Sequence, residues 1–260
     1  MIHWGDQRST RRRSHCALSL RLEIVRVGIL IRTPDSGVLM NSVHRFGVAI
    51  AIVVLSGAAS LLATPSLPDQ VVSHWNAAGE PDGTMSKTAA LVFLPALSAG
   101  LLGVFALLPR IDPNRANIEA FRPSYDWFVV LFTGFLFVVH VGIIAFNLGY
   151  QFDFTALIVA SLAPLFYFVG IVLENAKQNW FVGIRTPWTL SSETVWNRTH
   201  VLGSRLFKLA ALVMLGGLVF DAYAIYFLLV PLLLTAGVTI VYSYVLYERL
   251  EETASTSRGH

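Results

Sequence analysis

Residues 127–148 read WFVVLFTGFLFVVHVGIIAFNL, and His140 is the only ionisable side chain in this run. As an α-helix the run would be about 33 Å long, because each residue advances a helix by about 1.5 Å. The hydrocarbon core of a bilayer is about 30 Å thick and takes about 20 apolar residues to cross. Residues 127–148 therefore predict a transmembrane helix.

The same pattern recurs before and after this run. Together the apolar runs predict six transmembrane helices, at residues 46–63, 89–108, 127–148, 154–173, 206–220 and 223–246. The stretch from Leu209 to Tyr247 contains one charged residue, Asp221, and would be about 58 Å long as one straight helix. Because that length is about twice the hydrocarbon core, we expect the chain to turn back near Asp221.

Composition agrees with a membrane protein. Of the 260 residues, 55% are hydrophobic and 13% are charged, whereas soluble domains average about 25% charged residues. Cys16 is the only cysteine, which excludes an internal disulfide and a cysteine-based zinc site. The predicted fold class is an all-α polytopic integral membrane protein, and we expect no cofactor.

The distribution of positive charge predicts the orientation. With six helices, every Lys and Arg except Lys87 falls before the first helix, in or at the edge of the second and fourth connections, or after the last helix. Such residues accumulate in loops that stay in the cytoplasm. Both termini are therefore predicted to be cytoplasmic, with the chain in the cell (plasma) membrane. The net charge of +3 is explained by contact with anionic lipid and indicates no direct nucleic-acid partner.

The order of the runs divides the chain into five expected parts. A basic tail covers 1–39, a two-helix unit 40–110, the third helix with its connectors 111–153, a three-helix unit 154–247 and a polar tail 248–260. Arg11, Arg12 and Arg13 resemble a twin-arginine export signal, but later charges interrupt the apolar stretch that such a signal needs. We interpret the basic tail as poorly ordered or wrongly assigned, with Met40 as the native start.

The longest segment on the predicted outer side is 64–88, which contains HWNAAGEPDG at 74–83. Alternating residues at 71–76 favour a short extended segment. Pro81 and Gly83 occupy positions that a type I turn over 80–83 prefers, and Thr84 or Ser86 is expected to cap the second helix. The segment is therefore expected to be ordered.

Three roles are open for this outer segment. His74 and Trp75 are typical of residues that anchor a loop at the lipid headgroups. The same surface is alternatively a binding patch for an external peptide. His74, Glu80 and Asp82 are of the types that ligate metals, but one His and two carboxylates in such a segment form too weak a pattern to predict a metal site.

The predicted inner segment, 174–205, contains GIRTPWTL at 183–190. Gly183 supplies backbone freedom, and Pro187 favours an extended Thr186, so residues 183–190 are predicted to be non-helical. Ser191 or Ser192 is expected to open a helix. Side chains then recur at helical spacing and predict a face that lies along the membrane interface before the fifth span; they are Trp196, His200, Gly203 and Phe207.

Few of the polar residues suggest chemistry. Ser191 and His200 are nine residues apart with nothing to bring them together, so no enzyme is predicted. Arg185 and Arg198 are cations suited to lipid phosphates or an acidic cytoplasmic partner. His140 either hydrogen-bonds to the backbone of a neighbouring helix or belongs to a transport path, since an ionisable group inside a membrane is a functional candidate. A small-solute or ion transporter is therefore the alternative function.

Two motifs resemble known families. HWN…G.PDG at 74–83, followed by Ser86 and Lys87, is similar to a widespread bacterial and archaeal membrane domain of unknown function. GIRTPWTL at 183–190, followed by Trp196 and His200, resembles the signature of the SdpI family. The resemblance covers roughly residues 40–247, so that 40–110 corresponds to the unnamed domain and 154–247 to the SdpI-like unit.

The SdpI resemblance implies a multipass protein for immunity or signal transduction. Members include immunity proteins that protect cells against a secreted peptide toxin, and recruitment of a cytoplasmic repressor to the membrane is expected by the same resemblance. The implied outer candidate site consists of His74, Trp75, Asn76, Gly79, Pro81 and Gly83. The implied inner candidate site consists of Gly183, Arg185, Thr186, Pro187, Trp188, Trp196 and His200.

Overall fold

The computed structural model describes the backbone of residues 36–258 and the side chains of 42–256. The described residues from Ser42 onward form one compact unit by their contacts. The predicted basic tail lies outside the described residues up to position 35, and the first described helix begins at Ser36. The elements are α1 (Ser36–Ala63), β1 (Gln70–Trp75), β2 (Pro81–Ser86), α2 (Lys87–Ile111), α3 (Arg115–Ala120), α4 (Arg122–Asn147), α5 (Phe154–Asn175), α6 (Pro187–Ser191), α7 (Glu193–Met214) and α8 (Ala224–Arg258).

Six of these helices are long and apolar enough to cross a membrane: α1, α2, α4, α5, α7 with a short 3-10 extension to Leu218, and α8. The all-α polytopic fold class is therefore confirmed, with a two-stranded sheet as its only described β-structure. A second 3-10 turn, Asp221–Tyr223, separates α7 from α8, as the isolated charge of Asp221 predicted. The helix continues through most of the predicted polar tail, because α8 ends at Arg258.

The fifth span differs from its prediction. Its helix is continuous from Glu193 to Met214, whereas a separate helix along the membrane interface was expected before residue 206. That expectation was wrong because the face with Trp196, His200 and Gly203 is buried inside the protein. The aromatic spacing indicated packing against other helices, not contact with lipid headgroups.

Close packing of α7 explains why that face is buried. A Cβ on Gly170 of α5 would lie 2.8 Å from the Ser204 carbonyl oxygen, and a Cβ on Gly203 would collide with the Ile184 side chain. Small residues let the backbones of membrane helices approach in this way. Tyr125 of α4 and Trp196 of α7 belong to the same buried apolar cluster.

Two connections hold the candidate residues. We call residues 70–86, which contain β1, β2 and their turn, the hairpin, and residues 176–192, which join α5 to α7, the strap. Three spanning helices, α2, α4 and α5, separate the hairpin from the strap along the chain. The hairpin and the strap therefore lie on opposite sides of the membrane, which we call the hairpin side and the strap side.

Candidate functional site

The hairpin turns at Asn76, not at the predicted 80–83. The Asn76 side-chain oxygen accepts hydrogen bonds from the backbone N–H groups of Ala78 (2.9 Å) and Glu80 (3.0 Å). Gly79 has a φ of 80°, which favours glycine. This side-chain-stabilised turn places Pro81–Ser86 in β2, so the type I turn predicted over 80–83 was wrong. The extended segment at 71–76 is confirmed as β1, and Ser86 caps α2 as predicted.

His74 forms a pair across the hairpin. Its Nδ1 lies 2.5 Å from Asp82 Oδ1, and both side chains are exposed. Gly83 faces His74 on the neighbouring strand, where a Cβ would lie 3.0 Å from the His74 Cβ. Within the described residues no three His, Cys, Asp or Glu side chains converge to hold a metal ion.

Trp75 fixes the hairpin to the helices. Its ring stacks on Phe154 at the start of α5, with ring centroids 3.7 Å apart and planes 1° apart. Its ring also meets the edge of Phe146 at 5.2 Å. Trp75 is thus an anchor that shapes the hairpin side, and much of its aromatic surface is covered by neighbouring rings.

Asn147, at the end of α4, makes a second attachment that the sequence reasoning missed. Its side-chain oxygen accepts the Val72 backbone N–H (2.8 Å), and its amide nitrogen donates to the Val72 carbonyl oxygen (2.9 Å). The two bonds hold β1 as a neighbouring strand would. The sequence did offer a signal for this contact, because Asn147 is a polar residue at the end of the long apolar run that forms α4.

A polar cavity of about 370 Å³ lies beside Trp75. Three segments of the hairpin side meet there: the hairpin turn, the link between α4 and α5, and the turn before α8. Phe152 and Phe154 contribute aromatic surface, and Asp153 and Asp221 contribute carboxylates. Asp153 also caps α5 by accepting from the Thr155 N–H at 2.8 Å. The cavity therefore combines aromatic surface with negative charge, and the sequence reasoning identified only Trp75 and Gly79 among its lining residues.

On the strap side, Gly183 sits against a buried histidine. Its φ is 122°, and a Cβ there would collide with His200 Nε2. The next residue, Ile184, donates its backbone N–H to that same Nε2 at 3.1 Å. His200 Nδ1 lies 2.8 Å from the Trp196 carbonyl oxygen, which can only accept. His200 is therefore neutral, with its proton on Nδ1 and both ring nitrogens occupied.

Trp196 completes this support. Its ring stacks on His200 with centroids 3.9 Å apart, and its indole N–H donates to the Ala176 carbonyl oxygen at 2.9 Å. Both side chains are buried. Trp196 and His200 therefore support the strap from the protein interior, and their side chains are not accessible to a binding partner.

The second half of the strap docks on α7 and α8. Thr186 and Thr189 form a reciprocal capping box at the start of α6, so the segment from Pro187 is helical where a non-helical one was predicted. Thr186 Oγ1 lies 3.1 Å from Ser243 Oγ of α8. Ser192 caps α7 by accepting from the Val195 N–H at 3.4 Å, in agreement with the prediction.

Asn179 organises the first half of the strap and was also missed. Its side-chain oxygen accepts the N–H groups of Phe181 (2.9 Å) and Val182 (2.7 Å), and its amide nitrogen donates to two carbonyl oxygens. Of the predicted inner residues, Gly183, Arg185 and Pro187 are exposed, and Thr186, Trp196 and His200 are buried. The inner candidate site is thus an exposed rim on a buried support.

The hairpin and the strap each fall in a segment that matches a known protein family. Residues 175–243 match the SdpI/YfhL protein family, and residues 51–99 match a domain of unknown function, DUF1648. The immunity protein SdpI of Bacillus subtilis (strain 168) is 24% identical over 204 residues, which cover 78% of this chain and 96% of that protein. The chain thus contains an SdpI-type segment at residues 175–243. No solved structure matches it.

The family match coincides with the geometry of the strap. Residues 175–243 begin where α5 ends and finish at Ser243, the α8 residue that lies against Thr186. The SdpI segment therefore contains the strap, all of α7 and the α8 surface on which the strap docks. The DUF1648 segment, 51–99, contains the whole hairpin with parts of α1 and α2.

Within the membrane, His140 contacts the neighbouring helix α1 through the Ser56 backbone, as one of the two alternatives expected, and through a side chain that was not predicted. Its Nε2 lies 2.8 Å from Ser60 Oγ of α1, and Ser60 donates to the Leu91 carbonyl oxygen of α2 at 2.7 Å. Three helices are joined by these two contacts. Asp126, outside the predicted third span, is also fully buried, and Arg122 Nε donates to its Oδ1 at 2.7 Å.

Proposed function

We propose that this chain is an SdpI-type protein, a non-enzymatic immunity and signalling protein of the cell membrane, which meets an extracellular peptide toxin on the hairpin side. The family and the immunity protein of Bacillus subtilis support this role. The observation that carries it is the cavity beside Trp75, built from three separate connections on one side of the membrane.

Charge supports an outward position for the hairpin side. Its only Lys or Arg is Lys87, which lies 3.4 Å from Asp69 and donates to the Leu67 carbonyl oxygen. The cations of the remaining connections belong to the other side, which is the pattern of cytoplasmic loops. The cavity beside Trp75 then opens to the exterior, where a secreted peptide arrives.

Size and chemistry limit what the cavity accepts. A volume of about 370 Å³ is at the small end of ligand pockets, which span about 300–1,000 Å³. It therefore accommodates one or two side chains or a terminus of a peptide, not a whole folded toxin. Carboxylates of Asp153 and Asp221 beside aromatic rings favour a basic side chain or an amino terminus.

The strap is the proposed signalling surface in the cytoplasm. Arg185 is exposed, and within the described residues its side chain has no hydrogen bond or ion pair. It stands on a strap held in place by His200 and Thr186. An exposed arginine on a segment held by hydrogen bonds is suited to bind an acidic surface of a cytoplasmic regulator such as a repressor.

Protection from a toxin tests the outer role. The chain is expressed in a bacterium that is sensitive to a secreted peptide toxin and lacks an immunity protein, and survival is scored. We expect Asp221→Asn to reduce protection and Trp75→Ala to abolish it, with both variants still inserted in the membrane. Trp180→Ala, which removes an exposed tryptophan on the strap side, is the matched control and should protect normally. Full protection by both hairpin-side variants would contradict the proposed binding surface.

Recruitment of a regulator tests the inner role separately. Membranes from cells that carry the wild-type chain should retain the regulator, and membranes from cells that carry Arg185→Ala should release it. Arg110→Ala removes another exposed strap-side arginine outside the strap and should leave retention unchanged. Equal retention by all three chains would remove Arg185 from the signalling surface.

A further inference from the structure

Two arginines of α7 face a cleft between α7 and α8 on the strap side. Arg198 and Arg205 are seven residues apart, so two helical turns bring them to the same face. The cleft has a volume of about 340 Å³. It is lined by Asn197, Arg198, Val201, Leu202, Arg205 and Tyr242.

Neither guanidinium has a partner within the described part of the chain. Two of the cations there do pair with carboxylates: Arg122 with Asp126, and Lys208 with Glu174. Arg198 and Arg205 are exposed and, among residues 42–256, their side chains make no hydrogen bond, ion pair or ring contact, and none of the residues that line their cleft carries a carboxylate. The cleft therefore presents two uncompensated positive charges beside a tyrosine hydroxyl and an asparagine amide.

The depth of the cleft corresponds to a lipid headgroup region. Ala224 begins α8 next to the hairpin-side turn, and Tyr242 lies about 27 Å from Ala224 along that helix. Arg205 and Arg198 lie about 20 and 30 Å from Leu218 along α7 and its extension. With a hydrocarbon core about 30 Å thick, the cleft spans the border between acyl chains and phosphates of the strap-side leaflet.

The side chains point towards that border. Helical side chains tilt to the N-terminus of their helix, and α7 begins on the strap side. The aliphatic stems of Arg198 and Arg205 can thus lie along the helix while the guanidinium groups extend towards the phosphates. An arginine in this position without an anion is costly.

An apolar groove continues from the cleft into the membrane. It lies between the same two helices, has a volume of about 400 Å³, and is lined almost entirely by apolar side chains. Leu206 and Leu209 follow Arg205 on α7, and Val238 lies one turn before Tyr242 on α8. The order along both helices is therefore charged cleft, then apolar groove, which is the order of phosphate and acyl chain in a phospholipid.

We propose that α7 and α8 form a binding site for an anionic phospholipid of the strap-side leaflet. Arg198 and Arg205 hold the phosphate, with charge-assisted hydrogen bonds that the Tyr242 hydroxyl and the Asn197 amide extend. An acyl chain occupies the groove beside Leu209 and Val238. The charge of the cleft selects anionic over zwitterionic lipid, and the groove selects a lipid over free phosphate.

Native mass spectrometry of the delipidated full-length protein tests the site. Phosphatidylglycerol, phosphatidylcholine with the same acyl chains, and glycerol phosphate are added in turn. We expect phosphatidylglycerol to bind at least about tenfold more tightly than phosphatidylcholine, and Arg198→Gln/Arg205→Gln to abolish that preference. The matched control, Arg110→Gln/Arg115→Gln, removes two exposed strap-side arginines outside the cleft and should keep the preference.

Three outcomes would overturn the proposal. The first is equal binding of the two lipids, or a preference that survives in the double variant. The second is glycerol phosphate binding as tightly as phosphatidylglycerol, which would mean a site for a free anion. The third is a dimer that dissociates in the double variant, which would mean an interface between two copies of the chain.

A second variant keeps the test decisive if the double variant fails to fold. Val238→Phe fills the apolar groove and leaves both arginines in place. It should weaken phosphatidylglycerol binding several-fold without changing the weak binding of glycerol phosphate. An unchanged affinity for phosphatidylglycerol in this variant would refute the assignment of the groove to an acyl chain.

Discussion

Gly183→Ala is the most informative single perturbation of the strap. The backbone there has a φ of 122°, which is strained for any residue with a Cβ, and such strain costs about 1–3 kcal/mol. The new Cβ would also collide with His200 Nε2 and would lie 3.2 Å from two atoms of the Trp196 ring. Relief of the collision moves Gly183 and breaks the Ile184–His200 hydrogen bond, worth about 0.5–1.5 kcal/mol. The two contributions together give an expected loss of stability of about 1.5–4.5 kcal/mol.

Equilibrium unfolding in mixed micelles measures this loss. Tryptophan fluorescence is a suitable signal because Trp196 stacks on His200 beside the substitution. Limited proteolysis of the folded variant should also show earlier cleavage near Arg185, since the strap loses its attachment to α7. The variant should still insert in the membrane, because Gly183 lies outside the six spanning helices.

Two glycine variants separate the contributions. Gly149→Ala shares a positive φ, 95°, but its Cβ would meet open space, so only the conformational cost applies. Gly57→Ala, in the middle of α1, has neither strain nor collision and should be neutral or stabilising. In a His200→Ala background, Gly183→Ala should cost less than it does in the wild-type background, because the collision with the imidazole is gone and the conformational cost and the close approach to the Trp196 ring remain. If Gly183→Ala and Gly149→Ala are equally destabilising in the wild-type background, the account of the strap is refuted.

Two further substitutions test attachments that lie away from the strap. Asn147→Ala removes both hydrogen bonds to Val72, and we expect faster hydrogen exchange and proteolysis across the hairpin with a loss of about 1–3 kcal/mol. Ser60→Ala removes the partner of the buried imidazole in α4, and we expect a loss of about 1–2 kcal/mol in unfolding experiments.

Matched controls exist for both substitutions. Asn175→Ala removes an asparagine whose side chain, among the described residues, bonds only within its own helix, and it should leave the hairpin protected. Ser161→Ala removes a hydroxyl whose bonds, in the part of the chain that the structure describes, go only to carbonyl oxygens of α5, so its effect should be smaller than that of Ser60→Ala. Hairpin exchange that is unchanged by Asn147→Ala, or equal effects of the two serine variants, would contradict the assigned contacts.

The spanning helices were predictable because the bilayer sets their length and composition. Long apolar runs identified all six, and Asp221 marked the reversal before α8 because a charge interrupts an otherwise apolar stretch. Caps followed from local chemistry, as Ser86 and Ser192 illustrate. These features depend on residues close together in sequence, where the physical rules are strong.

Errors arose where a distant or competing group decides the structure. The turn predicted over 80–83 does not form, because hydrogen bonds to the Asn76 side chain stabilise a turn several residues earlier. The face with Trp196 and His200 was interpreted as interfacial because helical spacing does not distinguish lipid from protein as the neighbour. Asp126 was overlooked because the predicted third span began one residue later.

The candidate sites were predictable as segments but not as surfaces. The motifs at 74–83 and 183–190 located the hairpin and the strap, and the family match agrees for the SdpI segment. Which residues remain accessible depends on contacts between elements, such as Ile184 with His200 and Trp75 with Phe154. The roles of three polar residues depend on contacts that only the folded structure shows: Asn147 bonds to the hairpin, Asn179 to the strap backbone, and Asp221 lines the cavity beside Trp75.

Substituted-cysteine labelling of intact cells tests the central claim, that the hairpin and the strap face opposite compartments. Cys16→Ser provides a cysteine-free chain, to which Ala78→Cys of the hairpin turn or Ser191→Cys of the strap is added. A membrane-impermeant maleimide should label position 78 in intact cells and position 191 only after permeabilisation. Labelling of both positions in intact cells, or of both only after permeabilisation, would contradict the six-span arrangement.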